Sequence, residues 1–256
     1  MTPLLNIVSE TPDILVVNKP SDLVCHPTKG DELSSLVSRG RLYLERSGLP
    51  GSIHIVNRLD RETSGLVVLA KNPETAAELG HVWEGREVRK TYWGIVHGLL
   101  VEDEGVIDAP LGRDETSEVA IKNRVRPDGA SARTAYRVLQ KFSREGRDFS
   151  LLELEPLTGR KHQIRIHLQH IGHPLVGEKL YAGHEDDYLA LVQGRLTEEA
   201  RGRLIFACQA LHAGRLSFPW RGRTWEFATP PESWFLGFLP DGNALTASAD
   251  GQMLER

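Results

Sequence analysis

Cysteine is nearly absent: Cys25 and Cys208 are the only two among 256 residues. Two thiols make no disulfide framework, and they lack the paired spacing of a zinc site. Their scarcity points to a reducing compartment, hence the cytoplasm. No apolar run is long enough to cross a bilayer. The opening residues, Met1 to Asn6, lack the basic stretch and apolar segment of a secretory leader. There is no excess of positive charge either: 31 basic against 35 acidic side chains give a net charge of −4. That balance weighs mildly against a nonspecific nucleic-acid coat and leaves room for a local basic groove. The acids gather at Glu102-Asp103-Glu104, Glu185-Asp186-Asp187 and Glu198-Glu199. Internal repeats, low-complexity linkers and sharp compositional boundaries are missing. With 40% hydrophobic and 26% charged residues, the chain is globular and long enough to bury a full core.

The apolar patterning predicts an α+β fold in one domain, residues 1–240, with a polar, disordered tail at 241–256. Ile14 to Pro20 reads as a buried strand stopped by proline. Asp31 to Ser47 has helical spacing at Leu33, Leu36, Val37 and Leu44, weakened by Gly40. Strands follow at Ser52–Val56 and Leu66–Ala70. Asn72-Pro73 opens a helix, with asparagine as cap and proline at the first position, running to about Glu87. Tyr92–His97 and Phe149–Leu154 read as strands. Val119–Arg124 and Ala132–Phe142 read as a pair around the turn Pro127-Asp128-Gly129. Thr158 caps a predicted helix reaching His170, with Ile164, Leu168 and Ile171 on one face. Ala210–Phe218 and Arg223–Ala228 are read as a closing hairpin, packed by Trp220, Trp225 and Trp234.

Three segments carry chemistry. In Asn57-Arg58-Leu59-Asp60-Arg61-Glu62-Thr63-Ser64-Gly65, one carboxylate stands between two guanidinium groups. Arg58 and Arg61 favour the ionised form of Asp60, which suits a nucleophile or electrostatic stabiliser. A surface ion pair on a turn is the plainer alternative. Glu62 could partner Asp60 as in a glycosidase, but a loop residue so close is better read as solvated. In the second segment, Arg160 and Lys161 stand at the start of a predicted helix. Cations oppose the helix dipole there, so a bound phosphate explains them better than helix stability. His162, Arg165 and Gln169 continue that polar side, from which Arg165 could reach inward to a carboxylate in a cleft; a solvated basic face is the alternative. In the third, Tyr92 follows Arg89-Lys90-Thr91 at the start of a strand, where it could stack on a base and accept a proton or simply be a half-buried strand residue. His162, His167, His170 and His173 lack the spacing of a helical zinc pair, so no metal is expected.

Asn57 to Lys71, Lys90 to Gly98 and Leu157 to Tyr181 together resemble the RluA family of RNA pseudouridine synthases. Ile14 to Pro27 and Gln209 to Ala213 resemble its opening and closing blocks, so the likeness covers about residues 10 to 235. The family usually has histidine where this chain has Asn57. Many members also carry a small N-terminal S4 RNA-binding domain that is expected to be missing here. The resemblance implies a mixed, mostly antiparallel sheet with flanking helices and a central basic cleft. It implies a cofactor-free isomerisation of uridine in structured transfer or ribosomal RNA; a monomer is the default expectation, and neither metal nor membrane is expected. Asp60 then matches the catalytic aspartate, as nucleophile or base toward the sugar. Arg165 matches its basic partner, and Tyr92 the residue that stacks on the flipped base. Arg58 matches the side chain that fills the gap left by that base. Arg61, Lys90, Arg160, Lys161 and His162 are expected to meet the RNA, with the Arg86–Lys90 cluster and the basic helix forming the phosphate groove. A noncatalytic RNA-binding protein on the same fold is the competing reading, and it has no need of Asp60, Tyr92 and Arg165 together.

Overall fold

A computed structural model describes residues 4–27, 34–85, 87–182, 185–240 and 245. In chain order the elements begin with β1 (Ile7–Glu10), β2 (Ile14–Lys19), α1 (Leu36–Arg46), β3 (His54–Ile55), β4 (Ser64–Ala70) and α2 (Pro73–Glu84). Then come β5 (Arg89–His97), β6 (Glu104–Asp108), β7 (Leu111–Arg113), β8 (Asn123–Val125), β9 (Arg133–Arg144) and β10 (Arg147–Pro156). The chain closes through α3 (Gln163–His170), α4 (Glu185–Val192), α5 (Glu198–Leu204), β11 (Leu211–Trp220), β12 (Arg223–Ala228) and α6 (Ser233–Leu236). Its contacts divide it into two compact units, residues 1–90 with 212–256, and 91–211. Both are α+β, and the strand pairing is mixed and mostly antiparallel. No helix among the described residues is long and apolar enough to cross a membrane.

In the first unit, β4 is buried along its whole length. β2 pairs with it antiparallel from Ile14↔Ala70 to Lys19↔Gly65, and β1 pairs with β2. On the other edge β4 meets β11 in parallel at Ser64 and Gly65, then β3 at Leu69 and Ala70. The hairpin β11–β12 forms as the sequence predicts. Ile14, Val16, Leu66, Val68 and Leu79 pack with Phe218, Trp220, Trp225 and Phe227 into one core. Gly65 is required where β4 meets β11. Its φ is +117°, and a β-carbon there would lie 2.3 Å from the Ala213 carbonyl oxygen. The helix at Asn72-Pro73 also forms as read: the Asn72 side chain accepts from the Thr75 amide. It stops at Glu84 rather than Glu87, with Gly85 as its C-cap. Helix α1 begins at Leu36, capped by Ser35. Asp31–Leu33, Arg86 and the predicted tail other than Leu245 lie outside the described residues.

In the second unit, β10 lies between β5 and β9, and β6 pairs with the far edge of β9, all antiparallel. The turn at Pro127-Asp128-Gly129 forms, but the predicted pairing around it does not. β8 returns to β7, Leu111 and Ala130 exchange backbone hydrogen bonds, and Val119 lies in a turn. The reason is that both edges of β9 are taken, by β10 and β6. The acidic clusters at Glu185–Asp187 and Glu198-Glu199 are the first turns of α4 and α5, where negative charge favours the helix dipole.

Candidate active site

Asp60 lies on the loop between β3 and β4, half-buried. Several side chains reach the backbone of that loop. The buried Lys19 ammonium donates to the Arg61 carbonyl at 3.0 Å and to the carbonyls of Pro20 and Leu23, each at 2.8 Å. Cys25 exchanges hydrogen bonds with Leu59, its thiol donating to the carbonyl at 3.4 Å and its sulfur accepting from the amide at 3.5 Å. Burial raises the Cys25 thiol pKa, so it stays protonated. The Asp60 carbonyl accepts from the Thr63 amide at 3.1 Å, closing the turn. Arg61 is committed to Asp22, with Nε 2.7 Å from the carboxylate, and both side chains are exposed. Arg58 is exposed.

Where the loop joins β4, the Ser64 hydroxyl and His212 Nδ1 are 2.8 Å apart, and His212 Nε2 is 3.0 Å from the Thr229 carbonyl. A carbonyl only accepts, so Nε2 carries the hydrogen and Nδ1 accepts from Ser64. Burial lowers the His212 pKa to about 4, which keeps the ring neutral.

In the second unit, Tyr92 on β5 stands opposite Leu154 of β10. It packs against the core of Leu152, Leu154, Ile164, Leu168 and Leu175. Ile164 and Leu168 are the inner face of α3, as their spacing predicts, with Ile171 partly buried beside them. Helix α3 is shorter than the sequence reading. It starts at Gln163, not after Thr158, and its N-cap is His162 in the left-handed region at φ 56°. Gln163 explains the change. Its side-chain oxygen accepts from the Thr158 hydroxyl at 2.7 Å and the Arg160 amide at 3.1 Å. Its amide nitrogen donates to the Arg133 carbonyl at 2.8 Å and the Thr134 hydroxyl at 3.0 Å. Thr158 through Lys161 is therefore a turn pinned to β9, and Arg160 and Lys161 precede the helix. Both are exposed, with Arg160 Nε donating to the Ser131 carbonyl at 3.1 Å.

Arg165 is buried on α3 and reaches inward to a carboxylate, not out to a solvated basic face. Its Nε and Nη2 donate to the two oxygens of Glu178 at 2.7 and 2.8 Å. Glu178 also accepts from the amides of Leu180 and Tyr181. Burial alone would raise the Glu178 pKa, but the charge of Arg165 and these hydrogen bonds outweigh it and hold the carboxyl below its ordinary range. The Arg165 guanidinium also lies 5.1 Å over the Tyr181 ring, whose hydroxyl is 2.7 Å from His162 Nδ1. Lys90 is half-buried, and desolvation lowers its pKa. Sequence reasoning had no role for Lys19, Glu178 or His212. A buried cation at 165 needs an anion nearby, and that need is the one signal that could have found Glu178.

A family model described as RNA pseudouridylate synthase matches residues 13–170. The chain belongs to this family of RNA pseudouridine synthases, the RluA group, isomerases that convert uridine to pseudouridine within RNA. It is 38% identical over 231 residues to an uncharacterized RNA pseudouridine synthase, YlyB, of Bacillus subtilis, covering 88% of this chain and 69% of that protein. It is 37% identical over 229 residues to the ribosomal large subunit pseudouridine synthase D of Vibrio cholerae, covering 88% of this chain and 67% of that one. Against a Chloroflexus aurantiacus relative, an uncharacterized RNA pseudouridine synthase 38% identical, this synthase spans 83% of itself and 61% of the other chain. Among solved structures, human RNA pseudouridylate synthase domain containing 1 superposes with a TM-score of 0.71 at 28% identity, covering 94% of this chain and 88% of that one.

Proposed function

We propose that this synthase isomerises a uridine in a ribosomal RNA loop, with Asp60 as the catalytic residue at the sugar. The N1–C1′ bond breaks, the uracil turns, and C5 bonds to C1′. The proton lost from C5 is balanced by one gained at N1. The observation that carries this reading is the loop around Asp60: Lys19, Cys25 and the Thr63 amide fix its backbone on both sides of the carboxylate. Such preorganisation is what a group acting at one carbon atom requires. Arg165, itself fixed by Glu178, is the basic residue that favours the ionised aspartate. Tyr92, packed on the core under α3, stacks on the flipped base and aids removal of the C5 proton.

Arg58 fills the gap in the RNA. Arg61, Lys90, Arg160, Lys161 and His162 meet its phosphates. The desolvation of Lys90 supports its part, since an anion beside it would favour its charged form. Ribosomal rather than transfer RNA is supported by the printed names of relatives such as the Vibrio cholerae enzyme. The synthase acts in the cytoplasm as a monomer. The test is tritium release from RNA labelled at uridine C5, with ribosomal and transfer RNA as separate pools. Release from the ribosomal pool is expected. Release from the transfer pool alone would overturn the target, and binding without release from either would favour a noncatalytic RNA-binding protein.

A further inference from the structure

β4 is buried throughout, so each backbone group on its edges needs a partner. One edge is filled by β2. On the other, β11 takes Ser64 and Gly65, and β3 takes Leu69 and Ala70. Between these two strands the Asn57 side chain completes the edge. Its Nδ2 donates to the Leu66 carbonyl at 3.2 Å, and its Oδ1 accepts from the Val68 amide at 2.8 Å. The neighbouring Val56 amide donates to the Val68 carbonyl at 3.0 Å. One side chain thus does the work of a missing stretch of strand, three residues before Asp60 in the sequence.

We propose that Asn57 is a positioning residue for catalysis: it fixes the point at which the Asp60 loop leaves β4. This rests on the reading that Asp60 is the catalytic residue. The site needs one donor and one acceptor together, and an amide supplies both at every pH. Asn57→Asp separates the two demands. The carboxylate still accepts from Val68 but turns an oxygen, not a donor, toward the Leu66 carbonyl. Protonation restores the donor, so this carboxyl titrates above its ordinary range. Titratable groups on the surrounding elements are Lys19 on β2, His54 on β3, Arg58, Asp60, Arg61 and Glu62 on the loop, His212 and Arg215 on β11, and the glutamates and histidine of α2. All are shared with the unaltered protein, so an acid limb present only in the variant belongs to position 57.

The experiment measures kcat and KM for tritium release from ribosomal RNA labelled at uridine C5, with thermal melts at each pH. Asn57→Ala is expected to lower kcat about 10- to 100-fold, as misplacement of a catalytic group does, with KM changed much less. Asn57→Asp is expected to match that loss near pH 8 and to regain part of it as the pH falls toward about 5, unlike Asn57→Ala. Wild-type kcat in both variants, or an equal loss in both without acid recovery while they remain folded, overturns the inference. If Asn57→Ala does not fold, the acid limb of Asn57→Asp still decides. Asp60→Asn, run alongside, keeps the two readings apart: wild-type release by that variant would sink the role of Asp60, whereas its inactivity beside normal Asn57 variants would sink this inference alone.

Discussion

The loop that carries Asp60 and the helix that carries Arg165 are held by different means. Around Asp60, side chains reach the backbone. Lys19 and Cys25 grip the loop itself, Asn57 grips β4, and Ser64 with His212 ties β4 to β11. Around Arg165, a buried carboxylate grips a buried guanidinium through two hydrogen bonds. Backbone clamps set the path of the chain on either side of Asp60. A buried ion pair sets the side chain itself, and it costs desolvation that only good geometry repays. The two units do share one device. In the second, His167 Nδ1 is 2.8 Å from the Thr134 hydroxyl and its Nε2 is 2.9 Å from the Ala109 carbonyl, repeating the pattern of His212 with Ser64 and Thr229. In each, a neutral imidazole joins a strand hydroxyl to a backbone carbonyl.

Breaking the first region is expected to cost most at Gly65. Gly65→Ala would drive a β-carbon to 2.3 Å from the Ala213 carbonyl oxygen at a φ of +117°. A loss of about 3 kcal/mol or more is expected in urea unfolding, or no folded protein at all. Gly80→Ala is the contrast, because nothing lies within 4 Å of its added β-carbon in α2; a gain of up to about 1 kcal/mol is expected there. Equal effects at the two positions would contradict the account of the β4–β11 approach.

Breaking the second region is expected to cost about as much. Glu178→Gln keeps the shape but removes the negative charge on which two Arg165 hydrogen bonds end, for a loss of about 2–4 kcal/mol in the same measurement. A loss under about 1 kcal/mol would mean that the pair is not closely coupled.

The shared device is sharpened by pH. His212 has a folded pKa of about 4 against an ordinary 6.5. Between those values the unfolded chain binds the proton and the folded one does not. Its contribution is therefore full above pH 6.5 and falls as the pH drops toward about 4, by about 3 kcal/mol in all. Burial lowers the His167 pKa as well, adding a slope of the same sign. His212→Gln is expected to be less stable at neutral pH but to lose less between pH 6.5 and 4; an unchanged slope in acid unfolding curves would contradict the assignment. The smallest effect lies away from both regions: Asn72→Ala, which removes the cap of α2, is expected to cost about 1 kcal/mol by thermal melting.

How legible each part was in the sequence follows from how local its causes are. β2, β4 and β10 show as apolar runs, and Asn72-Pro73 shows as a helix start, because each signal lies within the element it forms. The start of α3 was misread because Thr158 has the chemistry of a cap. The side chain of Gln163, tied to β9, competes for that hydroxyl. The turn at Asp128 was legible while its strand partner was not, since pairing is settled by which edges elsewhere remain open. Asp60, Tyr92 and Arg165 stand out by the company they keep in sequence. Their supports do not: Lys19 lies 41 residues before Asp60, and Glu178 lies 13 after Arg165. A buried charge leaves no mark until its burial is known.

The most direct test of the central claim compares Asp60→Asn with the unaltered protein. Tritium release from uridine C5 and RNA affinity are measured on the same ribosomal RNA. Release by the unaltered protein, at least about a thousandfold slower release by the variant, and nearly equal affinity for both are predicted. Release by Asp60→Asn at the unaltered rate would contradict the claim that the clamped carboxylate does the chemistry.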